Sequence, residues 1–334
     1  MPVYNPSGAG NVHIDRALTQ ISVGWPNSQN MAGAALFPSV GVQKQTDKYY
    51  IFGREGWLPE NDYRAPGAAA NEVTGAALST DTYYAQEHSL QIAVTDEERE
   101  NADPPIAPDR DGTNIITSKI MLGRERVMQV LATTAANYAT SGSTNTVTLS
   151  GTSQWSDYAN SDPISDLRTG KIVVNSRIFA DPNVAVIPYQ VMVKLEDHPD
   201  FLERIKYSER AIFSPELLAS VLGFDRVVVP GVGINSANLG QTPTLGYLWG
   251  KDVVLAYVPS SPGLKIPAYG YEFTWGGAGG GQAQYVDRWR EDRRKSDVIR
   301  LCRYYDVKLT AMGDAGSSDA NKSIAGYLIK AAVA

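Results

Sequence analysis

KYYIFGREGWLPENDYRAPGAAANEVTGAALSTDTYYAQEHSLQIAVTD, residues 48–96, is the stretch on which the fold turns. It opens on a strand-like run, Tyr49, Tyr50, Ile51 and Phe52. It returns through Leu90, Ile92 and Val94, which alternate with Gln91, Ala93 and Thr95 as the two faces of a strand require. Between the runs lie roughly thirty residues broken by Gly53, Gly56, Pro59, Pro66, Gly67 and Gly75, longer than a compact domain usually tolerates as a loop. The whole segment reads as one long hairpin. Two strands alone are marginally stable in water, so this hairpin needs support from elsewhere.

Upstream, residues 1–47 carry Pro2, Pro6, Pro26 and Pro38, and their apolar residues (Ile14, Leu18, Ile21, Val23, Leu36, Phe37, Val40, Val42) fit no single long element. They predict an extended arm with at most one helical turn. Downstream, the breaker Pro104, Pro105 and Pro108 is followed by a stripe at Ile116, Ile120, Val127, Leu131 and Tyr138. That spacing predicts one amphipathic helix over 113–138, about 26 residues or roughly 39 Å long. Residues 140–157, rich in Ser, Thr, Gly and Asn, read as a surface connection.

From Asp162 the pattern alternates between helices and strands. Asp162 with Pro163, and Ser214 with Pro215, open helices, and Gly223 closes the second. Two short helical pieces break at Pro199. Val184 to Ile187 and Val227 to Val229 are core strands, and Tyr247 to Trp249 reads as paired with Val253 to Val258 around a turn at Gly250 to Asp252. A glycine cluster at 276–281 marks a loop tip, Ile299 to Leu309 alternates as a long strand, and Tyr327 to Val333 closes the chain as another. The class is α+β, with two lobes and two projections.

Composition removes several kinds of function. With 334 residues, 43% apolar and 20% charged, the chain is ordinary globular material of about two domains. A net charge of −6 lacks the positive field that phosphate backbones require. One cysteine, Cys302, allows no internal disulfide, and His13, His88 and His198 lie too far apart for a Cys/His zinc cage. No basic-then-apolar leader opens the sequence and no apolar run is long enough to span a bilayer. A soluble protein made in a reducing cytosol is expected.

Motifs of catalysis are missing too. Residues 227–236 resemble a strand feeding a dinucleotide loop, but Ser236 replaces the third glycine and no helical stripe follows. Gly250-Lys251-Asp252 has the wrong spacing for a phosphate loop and Asp where a hydroxyl belongs. There is no G-x-S-x-G elbow, Cys302 falls on a strand pattern as a buried thiol, and His198 sits at a helix break between Asp197 and Pro199. No catalytic, cofactor or metal residue is expected. The unusual charge pattern is 287–303, where seven basic residues, among them Arg288, Arg290, Arg293 and Arg294, interleave with four acids. It fits either a solvated charged turn or salt bridges across a protein surface.

The arm and hairpin occupy about a quarter of the chain and offer few apolar residues to a core of their own, so alone they leave their ordering entropy uncompensated. They are expected to be ordered by identical neighbours that receive the same projections in turn. The candidate inter-subunit contacts are Tyr49, Tyr50, Phe52, Arg54, Trp57, Tyr63, Arg64, Tyr83 and Tyr84 on the hairpin, with Arg288, Arg290, Arg293 and Arg294.

This order of elements resembles the major capsid protein of tailed bacteriophages, and most of all the lambda-type major head proteins. Carrying the resemblance are Asp15 with Leu18, Thr19 and Ile21, then Leu36-Phe37-Pro38, Lys48-Tyr49-Tyr50, His198-Pro199 with Ile205-Lys206, and Leu222-Gly223. Leu248-Trp249-Gly250 with Val253-Val254-Leu255, and Gly326-Tyr327-Leu328-Ile329-Lys330, extend it over nearly the whole chain. The resemblance implies an N-terminal arm (1–47), an extended loop (48–96), a peripheral domain with a long spine helix (97–160), an axial α/β domain (161–283), and return strands of the peripheral domain with a C-terminal strand (284–334). It implies a structural subunit, not an enzyme, that assembles as pentamers and hexamers into an icosahedral head shell.

Such a shell encloses double-stranded DNA without reading its sequence, meets a portal protein, and works with separate scaffolding and cement proteins; no membrane is involved. The expected location is the virion capsid, after synthesis in the host bacterial cytoplasm. Some relatives cross-link through a lysine on the extended loop; no lysine lies between Lys48 and Lys119, so non-covalent cohesion is expected. Two alternatives are an encapsulin-type shell around cargo proteins, separable by its neighbouring genes, and a cytosolic hydrolase using His198 or Asp197, separable by loss of turnover on mutation.

Overall fold

A computed structural model of the chain describes residues 31–54, 57–73, 78–102, 107–205, 214–238, 240–263, 266–313 and 317–334, with the backbone alone at 13–14. Most of the predicted arm lies outside the described residues, but a single helical turn is among them. What is described of it is β1 (His13–Ile14), α1 (Gly33–Leu36) and β2 (Ser39–Val42).

The larger sheet is built on β14 (Ser296–Leu309), a 14-residue strand whose apolar residues are buried on both faces. β13 (Gln284–Glu291) and β12 (Gly270–Trp275) lie antiparallel to it, β1 extends β13, and β2 runs parallel to β12. β5 (Gln86–Thr95) also pairs with β14, from Ser296 to Tyr305. Thr95 closes β5 and caps α2 (Asp96–Glu100), its hydroxyl accepting from Glu98 N–H while the Glu98 carboxylate accepts from Thr95 N–H. The spine helix, α3 (Pro108–Thr133), then crosses the sheet, packing Ile116 and Ile120 with Val94, Val286, Ile299 and Leu301. A Cβ on Gly112 would stand 3.1 Å from the Ile92 side chain, so the glycine lets helix and sheet approach.

The helix has the predicted length but starts five residues earlier, with Pro108 in its first turn. Val127 is exposed, and Tyr138 lies beyond the helix end. Its buried face runs through Ile120, Arg124, Glu125, Met128 and Ala132, so two buried charges interrupt the apolar stripe that the sequence displays.

The smaller sheet has the order β6 (Thr146–Thr148), β15 (Gly326–Lys330), β11 (Val253–Ala256), β7 (Val184–Val186), β8 (Arg226–Val228). One face packs Ala185, Val253, Leu255, Tyr327 and Ile329 against α4 (Pro163–Ile178), α5 (Tyr189–Glu196), α6 (Pro199–Ile205) and α7 (Pro215–Leu222). The other packs Val184, Val186, Val254 and Leu328 with Met128 of α3, Phe37, Trp249 and Tyr269. Burial on both faces is why these strands read as unbroken apolar runs. Each such aliphatic side chain contributes about 2 kcal/mol on burial. The capping reading holds: Asp162 accepts from Ser165 N–H, Ser214 from Leu217 N–H, and Gly223 ends α7 in the left-handed conformation.

Two pairings differ from those the sequence suggested. β3 (Thr46–Phe52) pairs with β4 (Leu78–Tyr84), while Leu90, Ile92 and Val94 belong to β5 in the large sheet. The hairpin is therefore shorter, and Ala85, buried and bonded through its N–H to the Gln45 carbonyl, marks where the chain leaves the ribbon. Tyr247 belongs to β10 (Leu245–Tyr247), which pairs with β9 (Gly233–Asn235) and not with β11.

Candidate assembly surfaces

The β3–β4 ribbon is fixed to the body by one face. Successive residues of a strand point to opposite sides, so each adjacent tyrosine pair splits. Tyr49 and Tyr83 turn inward and stack on Phe273 of β12, with ring centres 5.6 and 4.7 Å away. The Tyr49 hydroxyl donates to Asp81 Oδ2 at 2.7 Å, and the Tyr83 hydroxyl to the Lys44 carbonyl at 3.2 Å. Tyr50 and Tyr84 turn outward and are 58% and 50% exposed. Two of the predicted contact residues thus anchor the ribbon within its own chain and two are open to a neighbour. The Phe52 side chain lies outside the described residues.

Beyond the ribbon, every residue of 57–73 is exposed, including Trp57, Leu58, Tyr63, Arg64 and Val73. Between the exposed apolar side chains of Trp57 and Leu58 and that of Tyr63 lie Glu60 and Asp62. At the base of the finger Trp57 lies edge-on to Phe179, 4.8 Å between ring centres, and Arg54 Nη1 donates to the Arg177 carbonyl at 3.4 Å. An apolar cavity of about 630 Å³ lies under this base, with Tyr49, Ile178, Ile266, Tyr271 and Met312 in its wall.

The basic run divides in two. Arg288 Nη2 stands 2.6 Å from Asp297 and 3.1 Å from Asp109, and Arg290 binds Asp96 with both terminal nitrogens at 2.6 Å. Arg99 adds contacts to Asp109 and Asp297. Arg288 and Arg290 are therefore spent on a tie between α2, α3, β13 and β14 within one chain. Arg293 and Arg294 sit exposed on the turn between β13 and β14, Arg294 3.5 Å from Glu291.

A surface that the sequence reading passed over lies along the outside of α3. Ile115, Lys119, Leu122, Arg126 and Val130, three or four residues apart, form one stripe in which every residue but the half-buried Leu122 is exposed. Its two charges are basic, and no exposed carboxylate interrupts it between Ile115 and Val130. The signal was present as a second apolar period in the helix, displaced from the buried one. At the far end of the α/β lobe Leu245, 81% exposed, and Tyr247 with Tyr189 form a smaller apolar patch.

Of the residues weighed for catalysis, His198 and Cys302 are buried, whereas Asp197 is exposed. His198 has no solvent contact; Asp200 N–H donates to Nδ1 at 3.3 Å, so Nε2 carries the proton and donates to Ser161 Oγ at 3.1 Å. Burial holds the ring below its ordinary pKa, neutral. Burial likewise pushes the Cys302 thiol up to about 12, outside the thiolate range that nucleophilic attack needs. Among the described residues no helix is long and apolar enough to cross a membrane, and no group of three or more His, Cys, Asp or Glu could hold a metal ion.

No protein-family model matches the chain. The major capsid protein of Burkholderia phage BcepMu is 28% identical over 292 residues, 86% of this chain and 92% of that protein. The major capsid protein of Pseudomonas phage JBD67 is 28% identical over 247 residues, 73% of this chain and 77% of that one. Among solved structures, a phage-related protein from Bordetella bronchiseptica RB50 superposes with a TM-score of 0.71 at 23% identity, covering 96% of this chain and 98% of its own. The mature capsid of bacteriophage PhiM1 does so with a TM-score of 0.55 at 11% identity, covering 99% and 91%. The chain therefore has the tailed-phage major capsid fold and is related in sequence to phage major capsid proteins.

Proposed function

We propose that the chain is the structural subunit of an icosahedral phage head, closing on copies of itself as pentamers and hexamers around packaged double-stranded DNA. The observation that carries this reading is the finger: residues 57–73 are exposed throughout, present Trp57, Leu58, Tyr63 and Val73 to solvent, and have no core of their own. Apolar surface of that kind on a projection marks a contact with another molecule. The sealed His198 and Cys302 support a structural rather than an enzymatic role.

In this reading the large sheet with α3 is the peripheral domain, the smaller sheet with α4–α7 the axial domain, and the finger the extended loop. The apolar and acidic stretch 57–63 of the finger suits the apolar and basic stripe of α3 on a neighbouring copy. Tyr50, Tyr84, Arg293 and Arg294 remain candidate contacts, whereas Arg288 and Arg290 act within the subunit. A net charge of −6 suits a wall that packaged DNA must leave. Portal, scaffolding and cement proteins are the partners such a shell takes, and the virion capsid is its place.

The test is assembly. Sedimentation and negative-stain electron microscopy of the purified chain are expected to show rings or closed particles at raised concentration. Deletion of residues 57–73 behind a short Gly-Ser link is expected to leave the thermal unfolding of the lobes unchanged and abolish particles. Particles of normal size from the deletion would remove the finger from the assembly.

A further inference from the structure

We infer that the C-terminal end of α4 is a rest for the chain's own finger: Phe179 and the Arg177 carbonyl hold Trp57 and Arg54 in the unassembled subunit, and assembly requires that this contact be released. The inference rests on the shell reading above and adds a restraint on it.

Two helices of the α/β lobe end in the left-handed conformation, and they differ in a way that needs a cause. α7 ends on Gly223, with φ 68°, as a residue without Cβ does at no steric cost. α4 ends on Phe179, with φ 51° and ψ 31°, a conformation that side chains disfavour. The Phe179 ring gains nothing from the core, being 69% exposed. What it touches is Trp57, edge to face at 4.8 Å. Asn175 meanwhile satisfies the cap by accepting from Phe179 N–H at 2.7 Å, so glycine would close this helix equally well.

A second contact lands on the same helix end. Arg54 places its guanidinium 3.4 Å from the Arg177 carbonyl, a cation at the negative pole of a 16-residue helix. Between these contacts and β12 lies the apolar cavity, with Trp57, Tyr49 and Tyr50 on the finger side and Ile178, Ile266 and Tyr271 on the body side. The Tyr271 hydroxyl is buried there with no hydrogen-bond partner among the described residues. The base of the finger is thus laid over a loosely filled space, with an exposed ring pair and a long hydrogen bond among its contacts. That is an arrangement stable enough to hold a lone subunit and weak enough for a neighbour to displace.

Phe179→Gly separates the ring from the backbone, because glycine accepts φ 51° freely. The variant is expected to match the parent in thermal unfolding. In the dilute, unassembled chain, trypsin is expected to cut after Arg54 and Arg64 severalfold faster, and particles are expected to appear severalfold sooner by light scattering. Phe179→Tyr, which keeps the ring, is expected to restore parental rates in both assays. Phe179→Asn, another residue at home in this conformation, is a second ring-free variant should the first not fold. Unchanged proteolysis in a folded ring-free variant would overturn the contact, and faster proteolysis with unchanged or slower assembly would overturn its restraining role. If neither parent nor variant forms particles, the shell reading falls, while the proteolysis still judges the contact.

Discussion

Glu272 has no solvent contact and answers to two arginines. Arg124 binds it from α3 through Nε and Nη2 at 2.6 and 2.7 Å, and Arg303 from β14 through Nη2 at 3.1 Å. Burial alone would raise the Glu272 carboxyl, but the two guanidinium groups outweigh it and hold the group below its ordinary value, ionised. On Arg303 burial wins and lowers the guanidinium. The triad thus carries one charge more than it cancels, and Glu272 is what makes it tolerable. Glu272→Ala is expected to cost about 3–5 kcal/mol in chemical denaturation of the unassembled chain, because two like charges lose their partner in the interior. Replacing all three with Met, Leu and Met is expected to recover most of that loss; a triple variant as unstable as the single one would show that shape, not charge, was lost. The neighbouring Glu125 does related work, its Oε1 accepting from Ala32 N–H, Gly33 N–H and Trp249 Nε1 at 2.7–2.9 Å. It ties the spine helix to the start of α1 and to the turn before β11. Glu125→Ala would leave three buried donors unpaired, and a loss of about 3 kcal/mol by the same denaturation assay is expected.

At the scale of elements, the tie between α2, α3, β13 and β14 is electrostatic and partly exposed. The Arg290 hydrogen bonds hold the Asp96 carboxyl below its ordinary value, and Arg288 does the same for Asp297. Lowered carboxyls contribute stability that is complete above the unfolded value near about pH 4 and is lost as pH falls through their folded values. Unfolding free energy is therefore expected to drop as pH falls below about 4 and on through the lowered folded values. Asp297→Asn is expected to lose about 0.5–1 kcal/mol at neutral pH and to show a shallower drop; an unchanged acid limb would mean the tie contributes nothing. Which elements could be read from sequence follows from how local their causes are. Asp162-Pro163 and Ser214-Pro215-Gly223 carry their capping chemistry within four residues, and the alternation in β14 carries its own burial. Strand partnership is not local: Leu90, Ile92 and Val94 announce a half-buried strand but say nothing of whether β3 or β14 receives it. The spine helix was legible in length and not in phase, because buried Arg124 and Glu125 look like solvent-facing residues. Of the candidate contacts, Tyr50, Trp57, Tyr63 and Tyr84 are exposed, whereas Tyr49 and Tyr83 were bound to take the opposite face from their neighbours. Arg290 found Asp96, 194 residues away, and Arg288 found Asp109 as well as Asp297 within its own run, partnerships that sequence spacing does not reveal.

The whole molecule combines well-buried apolar cores with two exposed mixed surfaces of opposite sign. The finger offers Trp57, Leu58, Glu60, Asp62 and Tyr63, and the outer face of α3 offers Ile115, Lys119, Leu122, Arg126 and Val130. Apolar area gives such a contact its strength, while the charges choose partner and register. Charge therefore separates this pairing from simple stickiness. Lys119→Glu with Arg126→Glu places acid against acid and is expected to suppress particles, as is Glu60→Lys with Asp62→Lys placing base against base, without altering thermal unfolding, since all four positions are exposed. Mixing the two defective chains offers only half of the contacts a matched pair. Combining all four substitutions in one chain restores opposite signs at every contact between copies, and particles are expected to return, with assembly that weakens as salt rises. Shells from either charge-reversed pair alone, or no rescue in the fourfold variant while the parent assembles, would mean that the finger of one subunit rests somewhere other than the spine helix of the next.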